Sequence, residues 1–284
     1  MSYVLTDRHW LWIAAEFYAV AFLVGTFSLM RGGKHAHTFT YVLTAIGYAI
    51  QLYGLGLRGR AVGGCPLGNT FEIFQFTAWS AISLYLLVGV RFRSSLLGYF
   101  TACLATALTL TSLLIPGWDE VRRANVFGGN AWIEFHAAIA LFSYGVFALL
   151  ALTSVMSLLR NYSLKAKNLG GWFAFLPSVI DLDHINRRLL VTGVLLMTLS
   201  LGVGAVWWVR DFSGVDSLKL TATIAVWLAY VVVLIFRIRG QLLSKRFAWT
   251  CVSLFALALL SLGAVDGSRH ADKTSVTEGV SARP

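Results

Sequence analysis

Long, nearly uninterrupted apolar runs recur along this chain, and they constrain its fold more than any other feature. A run of about 20 apolar residues crosses a bilayer as a helix. In lipid every backbone polar group must be satisfied within the segment or by a closed barrel, so helices are the natural solution. The apolar pattern predicts eight spans, at about 10–31, 39–57, 71–91, 95–115, 132–159, 188–209, 216–236 and 246–264. The fold class is therefore an all-α integral membrane protein, a bundle of about eight transmembrane helices. With 57% hydrophobic and 13% charged residues among 284, little chain remains for a water-soluble domain. Residues 1–265 read as one transmembrane domain, and 266–284 as a polar tail without fixed structure. The first span follows a short polar start with no basic region and no small-residue cleavage pattern, so it reads as a retained span.

The formal charge of +10 matters through its placement. Arg31, Lys34, Arg91, Arg93, Arg160, Lys165, Lys167, Arg187, Arg188, Arg237, Arg239, Lys245 and Arg246 fall in alternate short loops on one side. Of the 13 acidic residues, only Asp181 and Asp183 share that side. Basic loops stay cytoplasmic, which predicts both termini on the non-cytoplasmic face. The basic balance is then a signature of topology and no argument for nucleic acid. The segment 172–187 mixes aromatic and polar residues and reads as an interfacial helix. Cys65, Cys103 and Cys251 show neither metal spacing nor a haem-attachment motif.

Polar chemistry concentrates toward the expected outer face. Ionisable groups in apolar spans are usually paired, cavity-facing or functional, and Glu16 and Glu72 are the deepest. For Glu72, helix capping by Asn69 or Thr70 is a sufficient local account. Glu72, Gln75 or Phe76, and Trp79 share one side of their helix. In "WIEFHAAIALFSYGVF", His136, Ala140, Ser143, Tyr144 and Phe147 share one face. Small residues beside a histidine leave room for a flat ligand or simply for a neighbouring helix. His9 and His270 lie on the same side of the membrane; His35, His37 and His184 lie on the opposite one. Trp207, Trp208 and Arg210 form a short outer cluster that fits an interface belt or a ligand carboxylate. Two histidines on different helices facing aromatic walls are a usual way to hold haem iron.

Several segments together resemble the cytochrome c assembly membrane-protein family, the haem-handling group that includes CcsA, CcmC and HemX-like proteins. "PLGNTFEIFQFTAW" is similar to the family's Pro-x-x-Asn-x-(Tyr/Phe)-Glu segment. "WIEFHAAIALFSYGVFAL" is similar to the segment with the first outer histidine ligand, the place of His136. "DLDHINRRLLVTGVLLMTLSLGVGAVWW" resembles the helix leading to the tryptophan-rich loop, and His270 is near the second outer histidine. The loop itself is shortened to Trp207, Trp208 and "GVDSLK", which resembles the HemX-like branch.

The resemblance implies haem b held at His136 and His270, with Trp207, Trp208, Glu72, Trp79 and Arg210 around it. It implies delivery to an apocytochrome c on the outer face of a bacterial plasma membrane, with a ResB-type partner. Any enzymatic part would be within a haem-attachment complex. A HemX-like regulator of tetrapyrrole synthesis, acting through the cytoplasmic loop between the fifth and sixth spans, is the alternative. A small-molecule transporter using Glu16 and Glu72 is a third reading, weakened by the lack of evident inverted repeats.

Overall fold

A computed structural model describes residues 6–31, 37–89, 97–120, 130–167, 176–208 and 217–260. Among them the chain is helical throughout, with no strand. The helices are α1 (Asp7–Met30), α2 (His37–Val62), α3 (Thr70–Gly89), α4 (Leu97–Leu114), α5 (Ala131–Lys165), α6 (Val179–Trp208) and α7 (Ser217–Ile238). A 3-10 turn, Pro116–Trp118, follows α4, and an eighth helix, α8, runs over 244–260.

Six of these, α1, α2, α4, α5, α6 and α7, are long and apolar enough to cross a membrane. Eight helices are thus described where eight spans were expected, and six of them are long and apolar enough to cross. α3 carries Glu72 and Gln75 in its first turns, and the described part of α8 covers 244–260. Two boundaries also need correction. No separate interfacial helix stands before the sixth span within 179–187; those residues are the first turns of α6. Ser178 starts it by accepting from the Asp181 amide at 3.1 Å. The second span does not end at 57, because α2 continues as helix to Val62 and carries Arg58 with it. The polar tail expected over 266–284 lies outside the described residues.

α1 to α4 pack as one group, α3 also packs on α5, and α5 lies along α6, which meets α7. Lipid tails are as apolar as leucine, so association of such helices depends on close packing and hydrogen bonds. Gly145 of α5 shows this: a Cβ there would lie 2.2 Å from the Ser80 Cβ and 2.9 Å from the Ala81 amide of α3. Gly193 of α6 does the same for Phe147, whose Cε1 would be 2.4 Å from an added Cβ. Phe147 in turn stacks on Tyr230 of α7, with centroids 3.7 Å apart and planes 2° apart. Around this stack lies the largest apolar core, with Met156, Leu190, Met197, Phe247 and Phe255.

The contacts define two ends. The start of α1, the end of α2, the start of α3, the end of α4 and the start of α5 meet at one end, where Asp7, Glu72, Asp119 and Glu134 gather. The start of α6 and the end of α7 meet at the other, through Asp183 and Arg237. Arg237 also donates to the Leu242 carbonyl at 2.7 Å and lies over the Phe247 ring at 4.8 Å.

Candidate functional site

The acidic end is organised by one cation. The Arg58 side chain is 0% exposed. Its Nε donates to Glu72 Oε1 at 2.6 Å, its Nη1 to Asp7 Oδ2 at 2.9 Å, and its Nη2 to Asp119 Oδ1. Arg8 joins from the start of α1, donating to Asp119 Oδ2 and to the Leu113 carbonyl, both at 2.9 Å. The Phe71 ring lies beneath both guanidiniums, 4.7 Å from that of Arg58 and 5.6 Å from that of Arg8. A guanidinium presents five donors in a fixed fork, so one buried arginine can gather several carboxylates.

The loop before α3 is built into this cluster. The Gly68 amide donates to Glu72 Oε2 at 2.5 Å, and Asn69 Oδ1 accepts the Glu72 amide at 2.9 Å. Asn69 is therefore the cap, as the sequence suggested, but capping is only part of the account. Both Glu72 oxygens are engaged, by Arg58 and by Gly68, and the residue is 1% exposed. Arg58 lay beyond the predicted end of its span and escaped notice there. Its signal was an arginine seven residues after Gln51 on one helix face.

Deeper in the same four helices runs a closed polar chain. The Tyr18 hydroxyl donates to Gln51 Oε1 at 2.9 Å. Gln51 Nε2 donates to Gln75 Oε1 at 2.8 Å, and Gln75 Nε2 to Ser112 Oγ at 2.9 Å. Ser112 Oγ in turn donates to the Thr109 carbonyl at 2.8 Å. Four helices are tied in this way at a depth where water cannot substitute.

His136 stands at the crossing of α5 and α6. Its Nδ1 is 2.6 Å from the Ser200 carbonyl oxygen and 3.1 Å from Ser200 Oγ. Ser200 Oγ donates back to the His136 carbonyl at 2.8 Å. One turn before, Trp132 and Phe135 are exposed at the start of α5, which Asn130 caps by accepting the Trp132 amide at 3.0 Å. Glu134 reaches across to the loop before α3: a Cβ on Gly64 would be 2.5 Å from Glu134 Oε1. Cys65 beside it is half-buried, and burial first, then Glu134 and Glu72, pushes its thiol up to about 11. It is thus a poor nucleophile near neutrality.

The other expected residues fall as follows. Trp79 sits half-buried in an aromatic group, stacked on Tyr48 at 5.7 Å and tilted against Phe76 at 5.3 Å, with Phe142 of α5 at 6.4 Å. Its buried Nε1 has no acceptor among the described residues. Trp207 and Trp208 close α6, seven and eight residues after Ser200, but their side chains lie outside the described residues. Arg210 and His270 lie outside them altogether, so no contact between His136 and His270 is described. Glu16 is exposed on α1, away from the Arg58 cluster. His9 is engaged locally, with Nδ1 2.6 Å from Thr6 Oγ1. No group of three or more His, Cys, Asp or Glu able to hold a bare metal ion occurs among the described residues.

Comparison with known proteins gives this arrangement its context. The profile of the family described as "Cytochrome C assembly protein" matches residues 67–266, from the loop before α3 onward. Protein HemX of Bacillus subtilis (strain 168) is 25% identical over 193 residues, 67% of this chain and 69% of its own length. Protein HemX of Brevibacillus brevis is 23% identical over 204 residues, 72% of this chain and 75% of its own. The cytochrome c biogenesis protein CcsA of Cyanidium caldarium is 25% identical over 239 residues, 70% of this chain and 74% of its own. With most of the chain matched, and with helices able to cross a membrane, this protein is a membrane-spanning member of the cytochrome c assembly protein family.

Proposed function

We propose that the protein binds haem b at its acidic end and hands it to an apocytochrome c during cytochrome c biogenesis. The observation that carries this reading is the setting of His136. A haem iron needs one or two axial ligands rather than a cluster of donors. His136 supplies an imidazole oriented through Nδ1 by a carbonyl, the arrangement commonly found behind metal-bound histidines. The donor therefore fits one axial position, and haem would supply the group to be delivered. His270 is the proposed second ligand.

The remaining assignments follow as parts of the proposal. Trp79, Trp207 and Trp208 would cover the macrocycle, and Arg210 would pair with a propionate. Glu72 would act by fixing the rim through Arg58 and Gly68. The acidic end would face outward and the basic end the cytoplasm of a bacterial plasma membrane, following the loop charges. Apocytochrome c and a ResB-type protein would be the partners in attachment.

An absorption spectrum of the detergent-purified protein, oxidised and reduced, tests this beside His136→Ala and His270→Ala. A low-spin bis-histidine spectrum lost in either variant is the expected result. A colourless wild type, even with haem supplied during expression, would sink the proposal. One observation favours a second reading, a HemX-like membrane regulator of tetrapyrrole synthesis. Only residues 209–216 separate α6 from α7, too short a stretch for the long tryptophan-rich loop that the family resemblance implies for haem presentation. Capture of a tetrapyrrole-synthesis enzyme by a colourless protein would support it.

A further inference from the structure

We infer that Ser200 is the positioning residue for His136, holding it as the Nδ1–H tautomer so that Nε2 is the ligating nitrogen. The geometry requires this proton. A carbonyl oxygen can only accept, so the 2.6 Å approach of Nδ1 to the Ser200 carbonyl places a hydrogen on Nδ1. The Ser200 hydroxyl has spent its own hydrogen on the His136 carbonyl at 2.8 Å. It therefore turns a lone pair toward Nδ1 at 3.1 Å. The Nδ1–H is shared between two acceptors of one residue, and in the neutral ring that tautomer puts the lone pair on Nε2.

The exchange is reciprocal, which makes it a lock rather than a passing contact. α6 orients the ring of α5, while α5 holds the serine rotamer of α6 through its own backbone. Ser200 is 1% exposed, so water does not compete for either bond. Two acceptors on Nδ1–H give the ring more imidazolate character, which strengthens donation from Nε2 and favours oxidised iron. Ser200 would then affect both how long haem is kept and how readily it is reduced. The purpose of the lock rests on the proposal that His136 is a haem ligand; the tautomer does not.

The test has a haem-free arm and a haem-loaded arm. In haem-free protein labelled with 15N-histidine, the nitrogen spectrum near neutral pH should show His136 protonated on Nδ1 and bare on Nε2. His136→Gln identifies the signal. A proton on Nε2 in either the neutral or the charged ring would overturn the inference. In loaded protein, Ser200→Ala should melt near the wild type, release haem several-fold faster to an apomyoglobin acceptor, and shift the midpoint potential to more positive values. Ser200→Thr, which keeps the hydroxyl, should restore both. Ser200→Ala keeps the backbone carbonyl, so unchanged release and potential would overturn the positioning role of the hydroxyl. If His136→Ala instead retains the wild-type spectrum, or the wild type takes up no haem, the ligand reading fails. The nitrogen spectrum still decides the tautomer.

Discussion

The first four helices and the last four solve the same problem by different means. In α1 to α4 two sets of buried polar groups are linked, Arg58 to Glu72, Asp7 and Asp119, and Tyr18 through Gln51 and Gln75 to Ser112, while Thr40 Oγ1 and Trp79 Nε1 stay unpartnered among the described residues. In α5 to α8 the centre is apolar, built on Phe147 against Tyr230 with Gly193 making room. Two hydroxyls there, Ser157 and Tyr230, are buried without a partner among the described residues. Directional bonds fix register in lipid, where burial of apolar surface gives no preference between neighbours. Shape alone packs tightly yet leaves a helix pair freer to shift. The proposed ligand His136 sits on the second kind of support, and a single serine gives it direction.

The largest effect should come from opening the ionic cluster. Arg58→Met leaves Asp7, Glu72 and Asp119 short of their shared cation, and breaking a buried pair costs about 3–5 kcal/mol. The measurement is reversible unfolding in mixed micelles. Adding Glu72→Met should return part of that loss, because a missing charge is less costly than a stranded one. Equal stability of single and double variants would show that Glu72 draws its support elsewhere. Next is the amide chain. Gln51→Leu strips Tyr18 of its acceptor and Gln75 of its donor, a cost of about 1–3 kcal/mol per stranded group. The double variant Gln51→Leu with Gln75→Leu should fall well short of additive loss.

The apolar half should respond to volume instead. Gly193→Ala forces a Cβ within 2.4 Å of a ring already pressed on Tyr230, and overpacking costs about 1–3 kcal/mol. Gly202→Ala on the same helix meets nothing within 4 Å and should be neutral or mildly stabilising. If both behaved alike, the shape argument for this half would be wrong.

Much of this was legible in the residues, for reasons that differ by half. Helix number and type followed from apolar runs, since a segment in lipid has few backbone options. A cap at Asn69 or Thr70, of which Asn69 is the one that bonds, and a shared face for His136 followed from local spacing. What escaped was pairing at a distance. Arg58 looked like a loop charge, and nothing local says that it meets a carboxylate at Asp119, 61 residues on. Ser200 stands inside an apolar run with no local polar partner in the sequence, yet its hydroxyl meets a histidine 64 residues away. Such partners depend on which helices touch, and apolar periodicity is silent on that when most faces are apolar.

Tyr230 gives the fourth way to separate the halves, through the sign of a small change. Its hydroxyl is buried and has no partner among the described residues, so Tyr230→Phe removes a group that was already unsatisfied. The expected result is no loss, or a gain of up to about 1 kcal/mol. Tyr18→Phe, which removes a bonded hydroxyl in the other half, should lose about 1 kcal/mol by the same measurement. Loss at both positions would mean that Tyr230 is paired through bound water, and the contrast between the halves would shrink to one of composition.

The smallest effect is expected where the halves meet, at Cys65. Its thiol is raised to about 11, first by burial and then by Glu134 of α5 and Glu72 of α3. An acid raised in the folded state favours its neutral form. This contributes nothing to the pH dependence of stability below the unfolded thiol value and costs stability as pH climbs from there toward 11. Alkylation of Cys65, followed in Cys103→Ser with Cys251→Ala to isolate it, should therefore keep accelerating past pH 10. Glu134→Gln removes only the second cause, so the midpoint should move down and still remain above that of an ordinary thiol. A fall to the ordinary value would make charge, and not burial, the main cause. The loop before α3 would then be held to α5 by electrostatics, extending the polar character of the first four helices across the seam to the turn that carries His136.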